Sequence, residues 1–275
     1  MNKVITTIVC VLLGVASGFA QEEFKQSLSG INKIELETNT MVNVKIGTSN
    51  EIIFENGATC NNCDHDNHYD YNEHEYENDQ DDEEERSKGL KAVYAGGVDN
   101  TGFGMQMDKD GDVMRLTDLK SFTQRRGFTI TIPANIDLKL DCGSLGGARV
   151  EDFSKELEVK TSVGSIELVN VTGPITAHSS VGAIDVKFRE VNQSSPISIS
   201  SSTSPVDVSL PSNTKANIEM RSTMGSVYSN FDLEVPREDG LKAVGGQRKI
   251  KGELNGGGVN ISLRSSTGNI YLRKN

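Results

Sequence analysis

Residues 161–168 read Thr-Ser-Val-Gly-Ser-Ile-Glu-Leu, and residues 179–186 read Ser-Ser-Val-Gly-Ala-Ile-Asp-Val. The same octad returns at Ser201–Val208 (SSTSPVDV), Ser222–Ser229 (STMGSVYS) and Ser265–Leu272 (SSTGNIYL). Successive copies start 18, 22, 21 and 43 residues apart, so the last interval spans about two periods and implies a degenerate copy between. Within each copy an apolar pair, such as Ile166 and Leu168 or Ile184 and Val186, flanks an acidic or polar residue. That is period two, a strand with one face buried. Gly164, Gly182, Gly225 and Gly268 precede these strands and are expected to supply the positive φ of a tight turn. The Ser and Thr before them can hydrogen-bond the turning backbone. Ser204, followed by Pro205, replaces the glycine in the third copy, so that turn must differ.

A second alternating pair stands upstream of most octads: Leu157/Val159, Ile197/Ile199, Ile218/Met220 and Val259/Ile261/Leu263. Each repeat is therefore strand, turn, strand, turn. Consecutive hairpins would make an antiparallel sandwich, and stacked coils would make a parallel solenoid. The recurrence of one turn with one apolar phase favours stacking, because no unit can bury its apolar face alone. The fold class predicted is all-β: a single-domain β-solenoid with coils of about 20 residues, the short end of known repeat lengths. Ile166, Ile184, Val206, Val227 and Ile270 are expected to form one inner column.

The N-terminal half reads as a more irregular β region. Short strands are expected at 34–38, 42–46, 52–54, 92–94, 105–107, 113–116, 129–132 and 136–140. Residues 57–88 read as an acidic loop insertion. From Asp64 to Glu85, 12 of 22 residues are acidic and none is Lys or Arg, while the rest of the chain holds 27 acidic against 28 basic residues. The net charge of −11 is thus carried by one segment, and it argues against a nucleic-acid partner.

Residues 1–20 have the layout of a secretory signal: Lys3, an apolar run from Ile5 to Val15, and Gly18-Phe19-Ala20 ahead of Gln21. The run is short of the roughly 20 residues that span a membrane. No transmembrane segment is expected. The mature chain, 21–275, is expected in the periplasm, on the cell surface or outside the cell. There Cys60 and Cys63 could close a small disulfide loop and leave Cys142 over.

Four constellations carry possible chemistry. Cys60, Cys63, His65 and His68, with His74 beyond, are zinc or copper ligand types, crowded into nine residues where a solvated or disulfide-closed loop is the alternative. Asp108, Asp110 and Asp112 alternate as calcium ligands do, but the glycine is misplaced for a calcium loop, and Asp-Gly chemistry suits a hairpin turn. His178 stands beside Ser179 and Ser180 and reads as an exposed strand-end residue more than a triad member. Asp137, Glu158, Glu167 and Asp185 point outward, as the acids of solenoid carbohydrate-active enzymes do and as those of any half-exposed strand do. With no Trp, and with Tyr69, Tyr71 and Tyr76 confined to the acidic segment, an aromatic sugar platform is not expected.

Gly30-Ile31-Asn32 followed by Lys-Ile-Glu-Leu, with the Gly-x-Ile-x-Leu repeats behind a signal sequence, resembles the adhesin-like proteins of bacterial envelopes, including the group named for a head GIN tripeptide. Gly89-Leu90, Gly96-Gly97-Val98-Asp99-Asn100-Thr101-Gly102 and Thr129-Ile-Thr-Ile-Pro133 resemble a form of that family found in Bacteroidetes. The resemblance covers roughly 28–56 and 89–275, and the acidic insertion departs from it. It implies an exported, repeat-built, all-β protein without catalytic residues, contacting an unidentified surface, protein or glycan. Two other functions fit the residues: an extracytoplasmic divalent-metal binder using the Cys/His/acid-rich segment, and a solenoid carbohydrate-active enzyme.

Overall fold

The computed structural model describes residues 23–57, 89–90, 92–120, 127–233 and 248–275. Its contacts divide the chain into two units, 1–21 with 66–92, and 22–65 with 93–275. Of the first unit only Gly89, Leu90 and Ala92 are described, and Leu90 is exposed. Residues 1–20, expected to be a signal sequence, and nearly all of 57–88, expected to be an acidic insertion, lie outside the described residues.

The second unit is a β-solenoid of twenty strands, with no helix among the described residues. Eight coils each give one strand to each of two ten-stranded sheets. The central coils follow the chain. They are β8 (Asp137–Asp141) with β9 (Ala148–Glu151), β10 (Leu157–Thr161) with β11 (Ile166–Val171), β12 (Ile175–Ser179) with β13 (Ile184–Phe188), and β14 (Ile197–Ser201) with β15 (Val206–Leu210). All are parallel to their neighbours and in register, apart from one bulge at Val169–Val171 in the pairing of β11 with β13. Antiparallel pairing, the mark of the rejected sandwich, is confined to the ends. There β1 (Glu23–Ser27) and β4 (Glu51–Asn56) close one sheet, β5 (Met105–Asp110) closes the other, and β18 (Arg248–Leu254) closes the far end.

Coil order departs from chain order at both ends. The coil of β2 (Lys33–Glu37) and β3 (Met41–Gly47) lies between that of β6 (Val113–Asp118) and β7 (Gly127–Pro133) and that of β8 and β9. The last coil, β19 (Val259–Ser265) with β20 (Ile270–Lys274), lies between β14–β15 and the earlier coil of β16 (Ala216–Ser222) with β17 (Val227–Ser229). In the 43-residue interval between the last two octads, the strand described between β17 and β19 is β18, which runs antiparallel at the edge, so the degenerate coil expected there is not found among the described residues. The expected inner column does form, with Ile270 seated between Val206 and Val227. It continues through Ala148 and Val42 to Phe128, so β2–β3 and β6–β7 are coils of the same stack, and the irregularity expected of the N-terminal half lies in their order and in the antiparallel β1, β4 and β5.

Alternation fixes which face is buried. Ile166, Ile184, Val206 and Ile270 are fully buried, each contributing about 1.5–3 kcal/mol relative to exposure. A slip of one residue would turn every such side chain outward. No strand forms at 92–94, where Tyr94 makes an isolated bridge to Gly97. The Asp-Gly turn is a two-residue hairpin, with Gly111 at φ 64° between paired Asp110 and Val113.

The octad glycines have a different role from the one predicted. Gly164, Gly182, Gly225 and Gly268 are not among the positive-φ residues. They are required because the coil corners touch. A Cβ on Gly164 would collide with the Gly146 carbonyl, on Gly182 with that of Gly164, on Gly268 with that of Ser204, and on Gly225 with that of Gly268. Beside this column runs a ladder of buried hydroxyls. Ser179 donates to the Gly164 carbonyl at 3.3 Å, Ser201 to Gly182 at 3.3 Å, Ser265 to Ser204 at 3.1 Å and Ser222 to Gly268 at 3.1 Å. The divergent turn differs as expected, for the Ser204 hydroxyl donates to the Val181 carbonyl.

Candidate functional site

Parallel in-register stacking turns each outward position into a row of side chains about 4.8 Å apart. Three such rows concern function. The first lies on the corner ahead of the glycine column. Because Gly146, Gly164 and Gly182 stack, so do the residues before them, Leu145, Val163 and Val181. These three apolar side chains are 51%, 49% and 45% exposed on successive coils, and Met224, before Gly225, is 79% exposed.

The second row crosses the outside of the β9-to-β17 sheet: Arg149, Glu167, Asp185, Asp207, Tyr271 and Tyr228 are successive register partners. Arg149 pairs with Glu151 and with Glu167. At the other side Arg273 grips Asp207 with two bonds of 2.8 and 2.7 Å and lies 5.2 Å from the Tyr271 ring centre. Tyr271 stacks on Tyr228 at 5.3 Å. Asp185 sits between two other acids. Loss of surrounding water, and then the charges of Asp207 and Glu167, hold its carboxyl above the usual range.

The third row is on the opposite sheet, where Lys160, His178, Ser200, Arg264, Arg221 and Lys249 follow one another in register. His178 is the fourth of five residues in β12, half-buried, and not the exposed strand-end residue predicted. Its Nδ1 lies 3.0 Å from the Ser200 hydroxyl, one coil on, and not against adjacent Ser179 or Ser180. Ser179 is buried in the hydroxyl ladder. Around this row is a hollow of about 270 Å³, lined by His178, Ser200, Ser202, Arg221, Thr223, Arg264 and Ser266, with buried Ser201 and Ser265. Sequence adjacency could not reveal it, because its members come from four strands spread over residues 178–266. A register drawn from the octads places Ser200 beside His178, but not Arg264 beside Ser200, which requires the inserted last coil.

The predicted ligand sets fare differently. Cys60, Cys63, His65 and His68 lie outside the described residues. Asp108, Asp110 and Asp112 do not converge: Asp110 pairs with Arg115 at 2.7 Å, Asp112 accepts from Asn32 at 3.0 Å, and Asp108 accepts from Gln106 at 2.7 Å. Among the described residues no group of three His, Cys, Asp or Glu side chains could hold a metal ion. Asp137, Glu158, Glu167 and Asp185 do face outward, on two different sheets.

Residues 101–273, more than half of the chain, match the family described as Toastrack DUF4097. The chain belongs to the Toastrack family. The matched segment opens inside a loop that Asp99 holds together, and the Toastrack stack reaches beyond it, since β2–β3 is inserted within it. Among solved structures, a candidate cell adhesion protein from Clostridium sporogenes is similar at 12% identity, over 92% of this chain and 99% of that one, with a TM-score of 0.44. At that level the likeness bears on neither function nor site. No curated protein matches the chain. Among the described residues no helix is long and apolar enough to cross a membrane.

Proposed function

We propose that this Toastrack protein is a non-enzymatic, exported cell-envelope protein with an adhesin-like role, its solenoid serving as a contact surface for another protein or surface. The observation that carries the reading is the corner row. Leu145, Val163 and Val181 are each about half exposed on consecutive coils, where single exposed apolar residues need no explanation but an aligned row does. Export is inferred from residues 1–20. The non-enzymatic reading is supported at the Ser200–His178 pair. The next residue in that row is Lys160, a cation, where a hydrolytic triad has a carboxylate orienting the imidazole.

The test is adherence of the source cells to a surface and to one another. Deleting the gene should lower both, and the wild-type gene should restore them. A Val163→Lys/Val181→Lys variant should be exported, with a mature N-terminus at Gln21, and fold normally without restoring adherence. Full restoration by that variant would remove the corner row from the function, and retention of the wild type inside the cell would remove the envelope role. Divalent-metal binding through Cys60, Cys63, His65 and His68 is the second reading. It is favoured by the gathering there of three of the four His and two of the four Cys. Zinc or copper uptake by the mature protein, lost in a Cys60→Ser/Cys63→Ser variant, tests it.

A further inference from the structure

Among the described residues the two sheets end in four edge strands, β1 and β17 on one sheet and β5 and β18 on the other. An open edge invites pairing with another chain, and proteins blunt edges with short strands, charge, inward-facing lysine or covering groups. Three of the four carry such a device. β17 is three residues long. β18 has Arg248, Lys249 and Lys251 among its first four residues. β5 is covered by its own loop: the Asn100 side-chain amide donates to the Met107 carbonyl at 2.8 Å and accepts from the Met107 amide at 2.9 Å, as a neighbouring strand would. Lys109, on β5 opposite buried Met114, adds to that cover by bonding the Ser29 carbonyl at 3.1 Å. β1 differs: it is five residues long, and its two charges are of opposite sign.

The register fixes how a second strand would meet β1. The Leu28 amide bonds the Asn50 carbonyl at 3.0 Å, so Gln26 and Phe24, in the same phase, direct their backbone groups to β4. Glu23, Lys25 and Ser27 turn theirs to the open side. Lys25 and Glu23 pair with each other at 3.0 Å, and each side chain is about half exposed. Phe24 points the other way, half-buried, with its ring 5.9 Å from that of Phe54, which lies 6.4 Å from that of Phe128. Beside Phe24 is a second hollow, of about 440 Å³, which Ile31, Met107 and Met114 also line. A row of aromatic rings thus runs out to the open edge and ends there half covered.

We propose that β1 pairs with β1 of a second copy of this chain, antiparallel about a two-fold axis at Phe24. In this register Glu23 faces the partner's Lys25, and Lys25 faces the partner's Glu23. Both pairs fall where the backbone groups are free and opposite charges stabilise. Phe24 faces the partner's Phe24 at a non-hydrogen-bonded position, where Cα atoms approach to about 4.5 Å, and the two rings continue the aromatic row. The alternative register, centred on Lys25, sets that lysine against itself, which is destabilising. Glu-Phe-Lys is complementary to its own reverse, and this favours a copy of the chain over a foreign strand. An isologous contact is closed, so association stops at the dimer. Five residues a side, against about 20–30 in a standard interface, make a weak dimer. The inference goes beyond the contact-surface reading and does not rest on it, because the corner row takes no part in this pairing.

The experiment is sedimentation equilibrium of the mature protein, residues 21–275, from about 1 μM to about 1 mM, the range of weak association. A monomer–dimer equilibrium is expected. Lys25→Glu and Glu23→Lys should each weaken it by about fivefold or more, because symmetry turns two opposite-sign pairs into two like-sign pairs. The Glu23→Lys/Lys25→Glu variant should restore it to within about threefold of wild type. All three change exposed side chains, and unchanged β-type circular dichroism shows that they fold. In a Cys60→Ser/Cys63→Ser background, Phe24→Cys should form an intermolecular disulfide in air, since facing Cα atoms at that separation allow one, and Lys25→Cys should form less. A protein that stays monomeric throughout ends the proposal. A dimer that neither single charge variant weakens is held by another surface. A dimer that the double variant does not restore, or that cross-links better at position 25 than at 24, has another register. Any of these results overturns the inference, whatever the outcome for adherence.

Discussion

Gly182 lies against the carbonyl oxygen of Gly164 one coil away, so closely that a Cβ on Gly182 would meet it at well under 3.0 Å. The obstacle is backbone and cannot rotate aside. Gly182→Ala must push two coils apart at their corner and weaken the bond from Ser201 to the Gly182 carbonyl. A loss of about 1–3 kcal/mol is expected, as for overpacked cores. Gly96→Ala is the control: the nearest atom is 3.9 Å away and φ is not positive, so the change should be neutral or stabilise by about 0.4–1 kcal/mol. Urea titrations of both variants measure the difference. Equal effects would mean that the glycine column does not set the coil spacing.

Neighbouring residues of β13 should respond oppositely to a change of charge. Ile184 is fully buried between Ile166 and Val206, and Ile184→Asp places a carboxylate there with no partner. Destabilisation by several kcal/mol is expected. Asp185 faces out between two acids that hold its carboxyl above the usual range. A raised carboxyl pKa means stability falls as pH rises from the unfolded value through the folded one. Asp185→Asn removes that repulsion. It should be neutral or stabilise by up to about 0.5 kcal/mol at pH 7, with the gain vanishing below the ordinary Asp range. Thermal melts at pH 3 and pH 7 decide this; a gain that persists at pH 3 contradicts the electrostatic account.

Asp99 organises the loop that leads into β5. Its Oδ1 accepts from the Thr101 amide and hydroxyl and the Gly102 amide, each at 2.9 Å, and its Oδ2 accepts from the Gly104 amide at 2.9 Å. Burial alone would raise its pKa, but these donors outweigh burial and lower it below the ordinary Asp range. The ionised form therefore contributes stability above the unfolded pKa, and that contribution is lost as pH falls through the folded one. Asp99→Ala should cost about 0.5–2 kcal/mol at pH 7, like the loss of a helix cap. It should also flatten the acid limb of the stability profile. An unchanged acid limb would assign the loop's order to Asn100, whose amide bonds both backbone groups of Met107.

The octads made the solenoid, its inner column and its buried faces legible because a period of two and a recurring corner are local properties. Three features were not local. The glycines were misassigned because positive φ and close backbone approach both call for glycine, and only the neighbouring coil distinguishes them. The inserted coils leave no mark in the order of residues; Ile270 looks the same whether it follows Val206 or Val227 in space. The hollow at His178 was hidden for the same reason. Its arginines, Arg221 and Arg264, are remote in sequence and adjacent only through β19.

Cys142 occupies a rung of the hydroxyl ladder. Lys160 pairs with Asp141 and Thr161 with Ser179, so the thiol stands one rung from Thr161, where other coils carry Ser or Thr. Burial, and then the charge of Asp141, push the thiol up to about 12. It should be inert to alkylation at pH 8 in the folded protein and react at an ordinary rate in urea. Cys142→Ser keeps shape and supplies a hydroxyl where the ladder has one. A change within about 1.5 kcal/mol is expected. Rapid labelling of native protein in a Cys60→Ser/Cys63→Ser background would show that the corner opens and that this rung is not closed.

The inserted last coil makes the C-terminus structural. β17 has β20 as its partner, and β20 also joins β15, so the final strand bridges two coils that precede it in sequence. The Ile270 amide bonds Ser226, and the Asn275 amide bonds Leu210. Removing residues 266–275 takes away buried Ile270 and Leu272, about 1.5–3 kcal/mol each, and leaves β17 with no ladder among the described residues. With about 2–4 °C of melting temperature per kcal/mol in a domain of this size, a fall of at least about 10 °C is expected, or failure to fold. Removing residues 21–27 at the other end takes away β1, an edge strand with one partner whose side chains are mostly exposed. That truncation should shift the melting temperature by a few degrees only. Comparable losses from the two truncations would contradict the threading of β19–β20 into the stack, because a terminal coil at the edge of a solenoid should matter no more than the strand that caps the opposite end.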